Sequence, residues 1–445
     1  MNGKNKITHI KNIILNLLRA SVYLLVFSIA FAIVAGFLVI EDQPAVLEAS
    51  APTSQDVIEA REFVRGVRSA ITPGRETSEP FIASETQLNS VIKLGTRLIA
   101  GFRGELVVNE TEVMGAASIP VPYTRETKWV NLIVAAPEFE GVFSLSRVEI
   151  GAISIPPKLA LGTGRVAANV VVGNNFGDRL LFAATSMQIN DDSVTFGLMM
   201  DEMGSNGLMR GFFGTLRGSD MPEASEIDRY YVLIRTAMDQ GELPQTGSYL
   251  PYLRYTLAAA LDGSRTEGVQ NAYTSAMFAL TMICGAKDFT LIVGGLVGDS
   301  SDTNADWKTG CDELTLNGRI DSRRHFTTAA AIQAASNRGF AVSVGEFKEL
   351  HDAINSGGFD FTDLAANNSG IRMSNTLMAT PIEDWPMVLE RIKNENDVIV
   401  SFDGIPSIIA NDEFLRTYGD IESPEYYAML VSIESRIEDL ALHRE

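Results

Sequence analysis

Between Arg319 and Gly370 the chain concentrates side chains that can move a proton or hold a cation. The runs are GRIDSRRHFTTAAAIQAA, GEFKELHDAINSGG and FDFTDLAANNSG. Breaks at Gly339 and Gly357-Gly358 predict three short helices there. His325 then falls in the first turn of the first helix. Glu346, Glu349 and Asp352 follow at i, i+3 and i+6 on the second, and Asp363 and Asn367 at i, i+4 on the third. A histidine facing carboxylates from neighbouring helices suits a general acid/base pair or a divalent-metal site with oxygen ligands. His325, Glu349, Asp352 and Asp363 are the candidate catalytic set. Residue types alone select neither a particular metal nor any other cofactor.

Each of these residues also has a purely architectural reading. Ser343 as an N-cap makes Glu346 the far partner of a capping box, and Thr362 as an N-cap places Asp363 where the helix dipole favours it. Gly370 suits a left-handed stop at the end of the third helix. His325 beside Phe326 reads as a packed histidine bonded to a carboxylate. The chain has four histidines, and His351 and His443 lack the H-E-x-x-H spacing of a zinc protease. Phosphate-binding glycine loops, nucleophile elbows and CxxC pairs are missing from the sequence.

The flanking elements are expected to differ in kind. Val57, Ala60, Phe63, Val64 and Val67 repeat at helical spacing, and a second helix opens at Ser84 with Gln87 completing a capping box. From Glu105 to about Met200 the period shifts to two, in runs such as WVNLIVAA, VFSLSRVEI, VAANVVVG and LLFAATSMQI. That pattern predicts an antiparallel meander, with a hairpin at Asn190-Asp191-Asp192. After Gly214 the signals are helical, ending in a helix opened by Pro424 that carries Tyr427, Leu430, Ile433 and Ile437 on one side. The expected fold class is α+β: an N-terminal transmembrane helix, an antiparallel β-rich ectodomain with flanking helices, and a mostly α-helical C-terminal domain.

Ser21 to Ile40, SVYLLVFSIAFAIVAGFLVI, carries no charge over a length that spans a bilayer. Lys4, Lys6, Lys11 and Arg19 precede it, and Glu41 and Asp42 follow it, so the positive-inside rule leaves the N-terminus in the cytoplasm. The expected segments are a cytoplasmic tail (1–14), a signal anchor (15–40), a tether (41–54), a β domain (55–213) and a helical domain (214–445) holding the 311–370 unit. Cleavage after Ala30-Phe31-Ala32 is the competing reading of the anchor. The net charge of −20 opposes nucleic-acid binding. Cys284 and Cys311, both on the outer side in this topology, form a candidate disulfide.

The segment from Cys311 to Gly370 resembles a group of uncharacterised membrane-anchored proteobacterial proteins sharing GRxDxxxHF, KExxD and GFxFxDLAA. Its shorter skeleton, HF, then Glu, then a D-x-x-A-N-x-x-G helix, is similar to that of YfiM-type envelope lipoproteins and, more distantly, VanZ-like membrane proteins. The resemblance makes His325, Lys348, Glu349, Asp352, Asp363 and Asn367 the recurrent polar positions. Asn367-Asn368 stands where a charged pair is more usual, and Ser356-Gly357-Gly358 where Gly-Ser-Gly is. It implies an inner-membrane protein with its bulk in the periplasm. The expected function is binding of a lipid or other envelope ligand, or of neighbouring envelope proteins, by the sheet and its helices. Hydrolysis at the His/carboxylate set is the alternative, and a structural scaffold the third reading.

Overall fold

The computed structural model describes residues 36, 38–47, 52–70, 80–95, 101–122, 124, 127–172, 176–198, 214, 221–286, 311–355 and 358–444. The first half runs β1 (Ile40–Glu41), α1 (Ser54–Ala70), β2 (Phe81–Ser84), α2 (Glu85–Gly95), β3 (Arg103–Val108), β4 (Glu112–Val121), β5 (Lys128–Pro137), β6 (Phe139–Glu140), β7 (Arg147–Ile150), β8 (Ile153–Ser154), α3 (Pro157–Val172), α4 (Phe176–Ala183), β9 (Ala184–Asn190) and β10 (Ser193–Leu198). The second runs α5 (Ala224–Asp239), β11 (Thr246–Ser248), α6 (Leu250–Glu267), α7 (Val269–Cys284), β12 (Glu313–Thr315), α8 (Ile320–Ala335), α9 (Arg338–Asn355), α10 (Phe361–Ala379), α11 (Trp385–Glu390), α12 (Asn411–Tyr418) and α13 (Pro424–Glu438). The class is α+β, and the strands of the first half pair antiparallel.

Those strands form two sheets, one ordered β3-β4-β5-β7-β8 with β1 added on β5, the other β2-β10-β9-β6. The expected turn closes β9 onto β10, with Asn190 opposite Ser193. The capping box at α2 is formed reciprocally: Ser84 N donates to Gln87 Oε1 at 3.2 Å and Gln87 N to Ser84 Oγ at 3.1 Å. The single meander is corrected. VAANVVV lies in α3, and LLFA closes α4, so two helices interrupt the strand run between β8 and β9, and the strands form two sheets. A continuous apolar run fits a helix as well as a strand, and Pro157 at the helix start decides between them.

The expected tether is also corrected. Ile40 and Glu41 pair with Val130 and Trp129. Ala45 N bonds Asn131 Oδ1 at 2.9 Å, Val46 N bonds Ser118 Oγ at 3.1 Å, and Asn131 Nδ2 reaches Gln43 O at 2.9 Å. Gly151, at φ +55°, lets the backbone of Leu38 and Val39 approach closer than any Cβ would permit. A short polar segment next to unpaired strand groups gains hydrogen bonds by docking. Most of the anchor (15–35 and 37) lies outside the described residues, among which no helix is long and apolar enough to cross a membrane.

The helical half packs α5–α8, α10 and α11 around one core, which also contains the disulfide between Cys284 and Cys311, whose Cα atoms are 5.1 Å apart. A second core joins Phe359, Phe361, Phe414 and Tyr426 to Val57 of α1. The two halves are therefore tied together through α1. Burial opposes ionisation of Asp56 on that helix, yet bonds from Thr53 and the Lys93 ammonium outweigh it and hold the carboxyl below its usual range. On α13 the inward residues are Tyr426, Ile433 and Ile437, whereas Tyr427, expected on the same side as Ile433 and Ile437, is 45% exposed.

Helices α8 and α10 cross at close range. Gly370 is interior to α10 with its Cα against the Phe326 carbonyl, where a Cβ has no room. Ser374 Oγ donates to Ala330 O at 2.8 Å across the same seam. The expected left-handed stop at Gly370 is thus corrected: the glycine serves close approach, and α10 continues to Ala379. Gly370→Val is expected to lower stability by about 3 kcal/mol, by overpacking a seam whose backbone cannot yield. Thermal unfolding of the variant beside the parent protein checks this.

Candidate functional site

The closeness of α8 and α10 sets the geometry of the polar cluster. Asp360 caps α10, accepting from Thr362 N at 2.8 Å. Arg319, at the N-cap of α8, reaches Asp360 Oδ2 at 3.3 Å and Asp363 Oδ1 at 3.5 Å and also bonds Thr362 Oγ1. That clamp leaves Asp363 Oδ2 directed at His325, 3.0 Å from Nε2. On the other side of the ring, Nδ1 lies 3.1 Å from Asn367 Oδ1. Gly345 of α9 makes room for the Asn367 amide, whose Nδ2 would sit 2.7 Å from an added Cβ.

Two further carboxylates approach Nε2, each at 3.9 Å: Glu349 Oε1 from α9 and Asp321 Oδ1 from the preceding turn of α8. Lys348 Nζ lies 3.3 Å from Glu349 Oε1. Burial differs sharply within the group. His325, Glu349 and Asp363 are 4%, 1% and 5% exposed, while the Asp321 side chain is half exposed, at 51%. Asp321 is thus the carboxylate of the group that is open to solvent.

Burial pushes the imidazole of His325 toward neutrality, but the contact with Asp363 and the charges of Asp363 and Glu349 outweigh both burial and Lys348, and its pKa is raised. Proximity to Asp363 is not alignment. Nε2 is 3.0 Å from the carboxylate oxygen, yet it makes no hydrogen bond of good geometry with any described residue, and neither does Asn367 Nδ2. The pair is held by charge at short range rather than by a linear bond. Asp321, His325 and Asp363 bring one ligand atom each to within 4.8 Å of one another.

Of the candidate set, His325, Glu349 and Asp363 converge, and the Asp352 side chain lies outside the described residues. The capping roles are corrected. Asn337 Oδ1 accepts from Phe340 N at 3.0 Å at the start of α9, while Ser343, mid-helix, donates back to Gly339 O at 2.8 Å. Glu346 is buried and accepts from Tyr426 OH at 2.9 Å instead of closing a capping box, and Asp360 replaces Thr362 as the cap of α10. Arg319 and Asp321 stand in the GRxDxxxHF motif but were assigned no role from the sequence, and Asp360 was not singled out. The i, i+4 spacing of Asp321 and His325 was the available signal. A shallow cleft elsewhere, lined by Ser248, Leu250, Arg254, Lys393 and Glu395, shares no residue with this centre.

Comparison with family models, with curated proteins and with solved structures finds no match to this chain.

The raised pKa of His325 has a definite sign in stability. The protonated ring is favoured by the fold, so its contribution is complete below the unfolded value of 6.5 and is lost as pH rises through the higher folded value. In chelator-treated protein, the melting temperature is expected to fall more steeply than in His325→Gln as pH rises from about 6.5 through the folded value, and the two profiles run parallel beyond it. Profiles parallel throughout would contradict the assignment.

Proposed function

We propose that this is a single-pass, membrane-anchored protein of the bacterial envelope, its N-terminus in the cytoplasm and its bulk on the periplasmic side of the inner membrane. Its β-rich part binds a lipid or another envelope component. The observation that carries this reading is the docking of residues 38–47 on the larger sheet. An apolar segment ending there has almost no slack, so the sheet sits against the bilayer face instead of swinging on a tether. Apolar side chains are available on this part of the molecule: Ile82, Leu159 and Val166 are 61%, 57% and 53% exposed. The acidity of the chain and its resemblance to membrane-anchored envelope proteins through His325, Glu349, Asp363 and Asn367 favour the same reading.

Hydrolysis remains the second reading because His325, Glu349 and Asp363 do converge. Their burial disfavours it, since a general base must come within hydrogen-bond reach of its substrate. In this account the lipid or envelope ligand is bound by the sheet and not at this buried centre.

Protease added to intact spheroplasts tests the topology, with digestion of the folded part without permeabilisation as the expected result and full protection as the contrary one. Native mass spectrometry of residues 38–445 purified from the periplasm tests the ligand. Copurifying lipid is expected, and a consistently bare mass removes the lipid reading while leaving the orientation intact.

A further inference from the structure

With its amide oxygen toward the ring, Asn367 Oδ1 accepts a hydrogen bond from Nδ1–H of His325 at 3.1 Å. That bond fixes the ring so that the neutral form presents a lone pair on Nε2. The lone pair then faces Asp363 Oδ2 at 3.0 Å and Asp321 Oδ1 and Glu349 Oε1 at 3.9 Å. Acceptors crowded together in this way repel one another, and the Arg319 guanidinium at Asp363 Oδ1 and the Lys348 ammonium at Glu349 Oε1 offset this in part, leaving the close approach of Nε2 to Asp363 Oδ2. A proton on Nε2 would answer this only in part, because Nε2 is buried and has no aligned acceptor among the described residues.

We propose that Asp321, His325 and Asp363 form a binding site for a divalent transition-metal ion of the Zn²⁺ or Mn²⁺ kind, with Glu349 placed to add a further oxygen. Several independent features support it. Nε2 and Asp363 Oδ2, 3.0 Å apart, would subtend about 90° at an ion about 2.1 Å from each, the angle between neighbouring ligands of an octahedron, and the half-exposed Asp321, with Oδ1 3.9 Å from Nε2, would swing in to complete the set. A metal-binding histidine characteristically donates its other ring N–H to a fixed oxygen, the part taken here by Asn367. Arg319 engages Asp363 through Oδ1 and leaves Oδ2 toward the ring. One imidazole with two or three carboxylates matches an ion of intermediate hardness better than Ca²⁺ or Mg²⁺, which prefer oxygen alone. The half-exposed Asp321 provides the route of entry.

The inference is independent of membrane orientation, so it can fail while the proposed topology stands, and the reverse. The experiment is calorimetric titration of untagged, full-length, chelator-treated protein with ZnCl₂ and, separately, MnCl₂ at about 0.15 M salt, where diffuse attraction to the acidic surface is screened. Melting temperatures are followed in parallel. The expected result is one saturable site, with the ion raising the melting temperature. Asp321→Asn should weaken binding at least tenfold while its metal-free melting temperature matches that of the parent, since Asp321 is peripheral to the packing. His325→Gln should abolish the site. Absence of saturable binding, or equal binding by parent and Asp321→Asn, overturns the proposal. Because Asp321→Asn alters only the exposed edge, the test holds even if His325→Gln fails to fold.

Discussion

The contact between His325 and Asp363 depends on how closely α8 and α10 cross, and much of the helical half is arranged so that they can. Gly370 sets the distance by lacking a side chain against the Phe326 carbonyl, and Ser374 ties to Ala330 along the same seam. Once the helices are this close, Asp363 and Asn367, one turn apart on α10, flank the imidazole on either side. The group is costly in isolation, because buried ionisable side chains lose hydration that only specific partners replace. Arg319, Asp360 and Thr362 at the shared N-terminal ends of α8 and α10 supply those partners. Removing any one of them strands the others, so the cluster behaves as a unit.

A different constraint governs the first half. The segment that follows the apolar stretch adds β1 to the sheet and fills polar positions around Ser118 and Asn131. Farther along, α1 contributes Val57 to the aromatic core around Phe359 and places Asp56 against Lys93 of α2. The path from the N-terminal segment to the helical unit is therefore packed over both of these stretches.

The sequence made some of this legible and hid the rest for physical reasons. Convergence of His325, Glu349 and Asp363 could be read from helical spacing, because three consecutive helices joined by tight breaks have few ways to pack. The hairpin at Asn190 and the capping box at Ser84 were equally readable, since each depends on residues close in the chain. What failed depended on tertiary distance. Ser343 and Thr362 look like caps locally, but the real caps are fixed by where each helix begins. Gly370 looks like a stop, yet its value lies in a neighbour 44 positions earlier, at Phe326. The Val-rich run of α3 carries no period that separates helix from strand, and the polar stretch after Ile40 gives no sign that unpaired groups await it. In the motif GFDFTDLAA, structural and chemical residues are interleaved. Phe359 and Phe361 belong to the aromatic core, Asp360 caps, and Asp363 faces the histidine.

The central claim is that Asn367 fixes the protonation pattern of His325, leaving Nε2 as the atom that takes up a proton or an ion. Nitrogen-15 NMR of the imidazole rings across a pH titration tests it most directly, with His325 assigned by comparison with His325→Gln among four histidines. The account predicts that Nδ1 of His325 keeps its proton at every pH while the Nε2 resonance alone moves to the position of an unprotonated ring nitrogen. A proton retained on Nε2 and lost from Nδ1 would mean that Asn367 donates to the ring instead of accepting from it. That result would contradict the account.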